Sequence, residues 1–254
     1  KEEALQERIP FVRDTAVEKE VFFQLKNVSN HYQSNDAILQ SVTVDIPKYE
    51  VTGIIGHSGA GKTTLAKILS GFIPYEGNIK IEEKELRELL AYEKQSYYRR
   101  VQYLFQNSLL SFNPNQTILK SLEEPLRFMR RIKSHPERIR MIQELFTSLE
   151  LELAWLEKYP HQLSGGQCQR CAIARAILAQ PECLICDEIT SSLDDVNQEK
   201  VIKVLQKVQK ETNMTIVLIS HNQSLIEAIC SNVIVLKEGR LMDSDDFRKK
   251  EHKN

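Results

Sequence analysis

A short, mostly apolar run, Val51-Thr52-Gly53-Ile54-Ile55, leads directly into Gly56-His57-Ser58-Gly59-Ala60-Gly61-Lys62-Thr63, and Ala60 to Gly71 then reads as a helix. A buried strand, a glycine-rich loop and a helix in that order leave few folds open. Glycines let successive backbone N–H groups turn inward around an anion. A helix beginning near Gly61 adds the positive end of its dipole to the same place. With this spacing Gly56, His57, Ser58, Gly59, Ala60, Gly61, Lys62, Thr63 and Thr64 form a cradle for a nucleoside triphosphate. Lys62 reaches the β- and γ-phosphates and the Thr63 hydroxyl is a ligand for Mg²⁺. The competing explanation, a chance glycine-rich turn, fits poorly with eight matching positions behind an apolar strand.

Further along, Cys183-Leu184-Ile185-Cys186 precedes Asp187-Glu188. An acid after such a run belongs at the C-terminal end of a buried parallel strand, the edge at which open α/β sheets bind ligands. Asp187 there can hold the Mg²⁺ shell. A pair of surface acids is the bland alternative, but two acids closing a strand interior usually have a function. Between these two halves lies Leu163-Ser164-Gly165-Gly166-Gln167, at the start of a helix that runs from Gln167 to Leu178.

Taken together, these three elements resemble the ATP-binding cassette (ABC) family, and the likeness covers most of the chain. The resemblance implies an α/β fold: a P-loop NTPase cassette with a RecA-like core, an antiparallel β subdomain and an inserted α-helical subdomain. It implies ATP and Mg²⁺ as cofactors. It casts Glu188 as the general base that polarises the attacking water. His221, 33 residues later and after the apolar run Ile216–Ser220, is cast as the switch histidine that contacts the γ-phosphate. A lone histidine after a strand is more often structural; order and spacing favour the switch. Gln106, after Tyr103-Leu104-Phe105, matches the Q-loop, which joins the core to the helical insertion and touches the metal shell. Tyr32, 24 residues before Gly56, is the expected adenine-stacking aromatic, against the alternative of a core tyrosine.

In the family two cassettes pair head to tail, so that Ser164, Gly165, Gly166 and Gln167 serve the partner's ATP. A flexible helix cap is the structural alternative for this segment. Asp194, in Ser192-Leu193-Asp194, resembles the D-loop that crosses the same interface. The segment Phe105-Gln106-Asn107-Ser108-Leu109-Leu110-Ser111-Phe112-Asn113-Pro114 is similar to the Q-loop extension of importers for peptides, nickel and metal chelates, and so is Tyr159-Pro160-His161-Gln162. That branch implies an ATP-hydrolysing translocase with several partners. These are a second ABC ATPase subunit (homo- or heterodimer), two transmembrane permease subunits contacted near residues 106–124, and an extracytoplasmic solute-binding protein. The expected location is the cytoplasmic face of the membrane, peripherally bound. Ile189 departs from the pattern, where proline is usual; this alters loop stiffness and touches neither acid.

Composition agrees. The 254 residues are 41% hydrophobic and 27% charged with net charge −1, which gives no broad attraction to nucleic acid. No run approaches the roughly 18 apolar residues of a membrane span, and Lys1-Glu2-Glu3-Ala4 does not open as a signal peptide does. Residues 1–20 are expected to form an N-terminal tail, 21–242 a single ATPase domain with the helical subdomain at about 107–170, and 243–254 a charged tail. Cys168-x2-Cys171 and Cys183-x2-Cys186 share a zinc-ribbon spacing. Their place in an apolar strand and a helix favours reduced core thiols. Two other readings stay open. A soluble ABC ATPase acting on DNA or ribosomes would more often carry a long coiled coil or two cassettes. A non-hydrolysing regulatory partner would not need Glu188 and His221.

Overall fold

The computed structural model describes residues 20–31 and 37–242. In chain order the elements are β1 (Val21–His31), β2 (Ala37–Pro47), β3 (Val51–Ile55), α1 (Lys62–Leu69), β4 (Glu76–Ile81), β5 (Lys84–Glu85), α2 (Leu86–Tyr92), α3 (Lys94–Arg100), β6 (Val101–Leu104), α4 (Ile118–Glu124), α5 (His135–Ser148), α6 (Gly165–Leu178), β7 (Cys183–Asp187), α7 (Asp195–Thr212), β8 (Thr215–Ile219), α8 (Gln223–Ile229), β9 (Asn232–Lys237) and β10 (Arg240–Leu241). They fall into two compact units, one of residues 1–94 with 215–254, the other of residues 95–214. The expected tails lie outside the described residues apart from Glu20, and so does Tyr32.

The first unit carries an antiparallel sheet in the order β2-β1-β4-β5. Its register sets Leu25 opposite both Val44 and Ile79, so apolar side chains stack across three strands. Phe22 and Phe23 are both buried although neighbours on a strand point to opposite faces; β1 is therefore covered on both sides at this end. The same unit holds parallel strands. β3 pairs with β8 through Gly53↔Leu218 and with β9 through Gly53↔Val233. β3 and β8 are buried at every position, which is why both read as unbroken apolar runs. β9 and β10 form a hairpin, with Arg240 opposite Lys237.

In the second unit β6 and β7 pair in parallel, with Tyr103 opposite Ile185. Around them lie α4 to α7 and short 3-10 turns at Ser108–Ser111 and Leu153–Glu157. α5 buries Ile142 and Phe146, four residues apart on one face. Arg138 of α5 bonds Glu123, and Arg175 of α6 bonds Glu124, both at the end of α4. α5 begins at His135: Ser134 caps it, and Pro136 occupies the first turn, where a missing N–H costs nothing. No helix among the described residues is long and apolar enough to cross a membrane.

Candidate functional site

The first unit builds the glycine loop between β3 and α1. Gly56 has φ 153°, and a Cβ there would lie 2.2 Å from the Leu236 carbonyl oxygen. Gly61, at φ 99°, would drive a Cβ to 2.6 Å from Leu39 Cδ2. Both positions thus demand glycine through backbone conformation and close packing together. Gly59 differs: it has φ 78° and faces open space on its side-chain side. His57, Ser58 and Gly59 are exposed, Thr63 and Thr64 half-buried. Lys62 is only 5% exposed, and its Nζ donates to the carbonyl oxygens of Gly56 at 2.9 Å and His57 at 3.0 Å.

The starts of α1 and α2 carry no side-chain cap. Side chains cap α4 (Thr117), α5 (Ser134), α6 (Ser164), α7 (Asp194) and α8 (Asn222). At α1 the capping position is Gly61, with no side-chain bond. A helix start reached through a glycine loop is an arrangement that favours phosphate. His221, in the same unit, is exposed in the turn between β8 and α8. That turn is tied by Asn222 N–H donating to Ser220 Oγ at 3.0 Å and Leu225 N–H donating to Asn222 Oδ1 at 3.1 Å.

The second unit carries the acids. Asp187 ends β7 and is 6% exposed. Tyr103 Oη donates to Asp187 Oδ2 at 2.6 Å. Burial first, then the hydrogen bond and the two neighbouring acids, raises the Tyr103 phenol well above its ordinary pKa. Glu188 follows in the left-handed region, φ 50°. Its carbonyl accepts from Ser191 N–H at 3.1 Å and Ser191 Oγ at 2.9 Å. Gln106 Nε2 donates to that same Ser191 Oγ at 3.0 Å. Gln106 and the Glu188 turn are thus joined through one hydroxyl. Neither Tyr103 nor Ser191 stood out in the sequence as a functional residue.

Ser164 closes a capping box at α6: its Oγ accepts from Gln167 N–H at 3.3 Å, and Gln167 Oε1 accepts from Ser164 N–H at 3.0 Å. Gly165 is exposed and Gly166 buried. Asp194 caps α7, accepting from Asn197 N–H at 2.9 Å and Asn197 Nδ2 at 2.7 Å; these bonds hold its carboxyl below the usual range. Replacing Ser164 with Ala is expected to cost about 1 kcal/mol of stability. For a chain of this size that is a fall of roughly 2–4 °C in Tm. A thermal melt that does not move would mean the capping box contributes nothing.

All five cysteines are buried. Burial raises Cys168 and Cys171 and pushes Cys230 up to about 12, as befits inert core thiols. Among the described residues no group of three His, Cys, Asp or Glu is arranged to hold a metal.

A buried strand, a glycine-rich loop and a helix that follows Gly61 have the order of a P-loop nucleotide-binding protein. Comparison with known proteins narrows the class: residues 39–191 match the ABC transporter family, and the chain belongs to that family. The nickel import system ATP-binding protein NikE of Staphylococcus aureus (strain N315) is 37% identical over 222 residues, covering 87% of this chain and 88% of the relative. Among solved structures, the dimeric bacterial ABC transporter cassette MJ0796 is 31% identical, with TM-score 0.79 over 87% of this chain and 97% of that one. A post-hydrolysis form of that cassette, bound to ADP and phosphate, aligns with TM-score 0.78 at 30% identity and the same coverage. The fold is the ABC cassette, and the chain is an ATPase that binds ATP.

Proposed function

We propose that this chain is the ATP-hydrolysing subunit of an importer for nickel, metal chelates or peptides. The observation that carries the reading is the 37% identity to a nickel-import ATP-binding protein along nearly the whole of both chains. The segment that follows Gln106 supports it: Leu109 and Leu110 are exposed there, Leu110 at 67%, as expected of a surface that receives apolar side chains from a permease. Two permeases docked near residues 106–124, a second cassette and an extracytoplasmic binding protein complete the assembly. The chain then works peripherally at the cytoplasmic face of the membrane.

In this reading the loop amides from Gly56 to Thr64 and the Lys62 ammonium hold the phosphates, and Tyr32 stacks on adenine. Glu188 accepts a proton from the attacking water and His221 orients it at the γ-phosphate. Ser164, Gly165, Gly166 and Gln167 address the ATP of the partner cassette, with Asp194 at that interface. The protein donors suit Mg²⁺: the Thr63 hydroxyl, the Asp187 carboxylate and the Gln106 amide are hard oxygen ligands. Gln106 donates through Nε2 to Ser191, so its Oε1 is the end that would serve as a hard oxygen ligand. When bound, Mg²⁺ neutralises charge on the β- and γ-phosphate oxygens. Because phosphates and water supply most of its shell, few protein ligands are needed.

Purification of the native protein from solubilised membranes tests the reading. Two permeases, a second cassette and a binding protein are expected to accompany it, and deletion of the gene is expected to abolish uptake of radioactive nickel or of a peptide. Recovery only from the soluble fraction, with ribosomal or DNA-repair partners, would overturn import and leave the ATPase intact.

A further inference from the structure

The roles just assigned make no use of Tyr103. It lies in β6 opposite Ile185 of β7, and side chains two residues apart on a strand share a face, so Ile185 and Asp187 are both on the side its ring occupies. The ring packs edge-on against Phe105, with centroids 4.8 Å apart, which fixes the direction of the hydroxyl. The 2.6 Å bond to Asp187 Oδ2 has the length of a charge-assisted O–H···O⁻ contact. A phenol has one proton to donate, and Tyr103 directs it at Asp187 Oδ2.

We propose that Tyr103 is a positioning residue for Asp187: it engages one carboxylate oxygen and thereby fixes the orientation in which this side chain meets the magnesium shell. The inference rests on the assignment of Asp187 to that shell. A carboxylate held by no donor turns about its χ2 and must be ordered each time the metal binds. One held by the phenol is ordered beforehand, so part of that cost is met when the protein folds. Removing an outer-shell partner of this kind typically weakens metal binding about 10-fold or more. Phenylalanine keeps the ring and its packing on Phe105 and deletes only the donor.

The test measures binding of a fluorescent ATP analogue to the full chain across a Mg²⁺ titration and in EDTA, for the wild type, Tyr103→Phe and Asp187→Asn. The expected result is that Tyr103→Phe raises the Mg²⁺ concentration for half-maximal enhancement about 10-fold, leaves binding in EDTA unchanged, and is matched or exceeded by Asp187→Asn. A Tyr103→Phe titration that overlays the wild type, with Asp187→Asn shifted, overturns the role of Tyr103 alone. Equal weakening with and without Mg²⁺ also overturns it, since a packing defect acts on both. An unshifted Asp187→Asn titration overturns the metal assignment itself.

Discussion

Replacing Glu188 with Gln is expected to reduce ATP hydrolysis by about 10²–10⁴-fold and to leave ATP binding near wild type. The change is close to isosteric and removes only the proton acceptor. The turn that presents the side chain is held by backbone groups and by Ser191, through the bonds at 3.1 and 2.9 Å to the Glu188 carbonyl; a side-chain amide disturbs neither. The backbone at Glu188 is left-handed, as it is at nine other non-glycine residues among those described, so it marks the turn and does not by itself mark chemistry. Ile189 is buried and so anchors the next position by packing. The measurement is phosphate release by the assembled complex with the partner cassette identified, because that cassette can contribute a second active site. Turnover at the wild-type rate, with the partner's own base also removed, would take Glu188 out of the role of general base.

Legibility from the sequence followed burial. β3 and β8 are buried at every residue; β3, Val51–Ile55, has the bounds of its apolar run, and β8, Thr215–Ile219, lies one residue earlier than the run Ile216–Ser220. β2 was not legible. Val42-Thr43-Val44-Asp45-Ile46 does alternate, but Ile38-Leu39 and Gln40-Ser41 break the pattern before it, Ser41 has φ 51°, and the pairing with β1 is interrupted by irregular register, so the alternation covers less than half of the strand. α7 is hard to read because charged residues dominate its exposed side, although its buried Val201, Val204, Leu205 and Val208 repeat at helical spacing. The glycine loop, Asp187 and the segment Leu163–Gln167 are legible because local spacing alone marks them. Tyr103 and Ser191 are not, because their meaning depends on partners. Tyr103 meets an acid 84 residues away through a parallel register that no local pattern encodes. Ser191 matters only once the fold brings Gln106 to it.

Loss of the Lys62 ammonium should be nearly as damaging as loss of the base, but at the binding step. Lys62→Ala is expected to weaken ATP binding about 10²-fold, the scale for removing a charged donor from a phosphate or oxyanion site. The ammonium donates to Gly56 O and His57 O. Its alkyl stem is buried with the first turn of α1, so the head is confined to the concave side of the loop. The cost to folding is far smaller, about 0.5–1.5 kcal/mol, because His57 is exposed and Gly56 half-buried, and water can replace the lost donor at their carbonyls. Binding by calorimetry and stability by thermal melting therefore separate the two effects in one variant. Lys62→Arg is expected to fail as well. A compact ammonium on a flexible stem can exchange two carbonyl oxygens for phosphate oxygens within the same loop, whereas the planar guanidinium is broader and its five donors diverge. Arginine that restored full affinity would mean charge alone suffices at this position; alanine that kept it would remove Lys62 from the phosphate site.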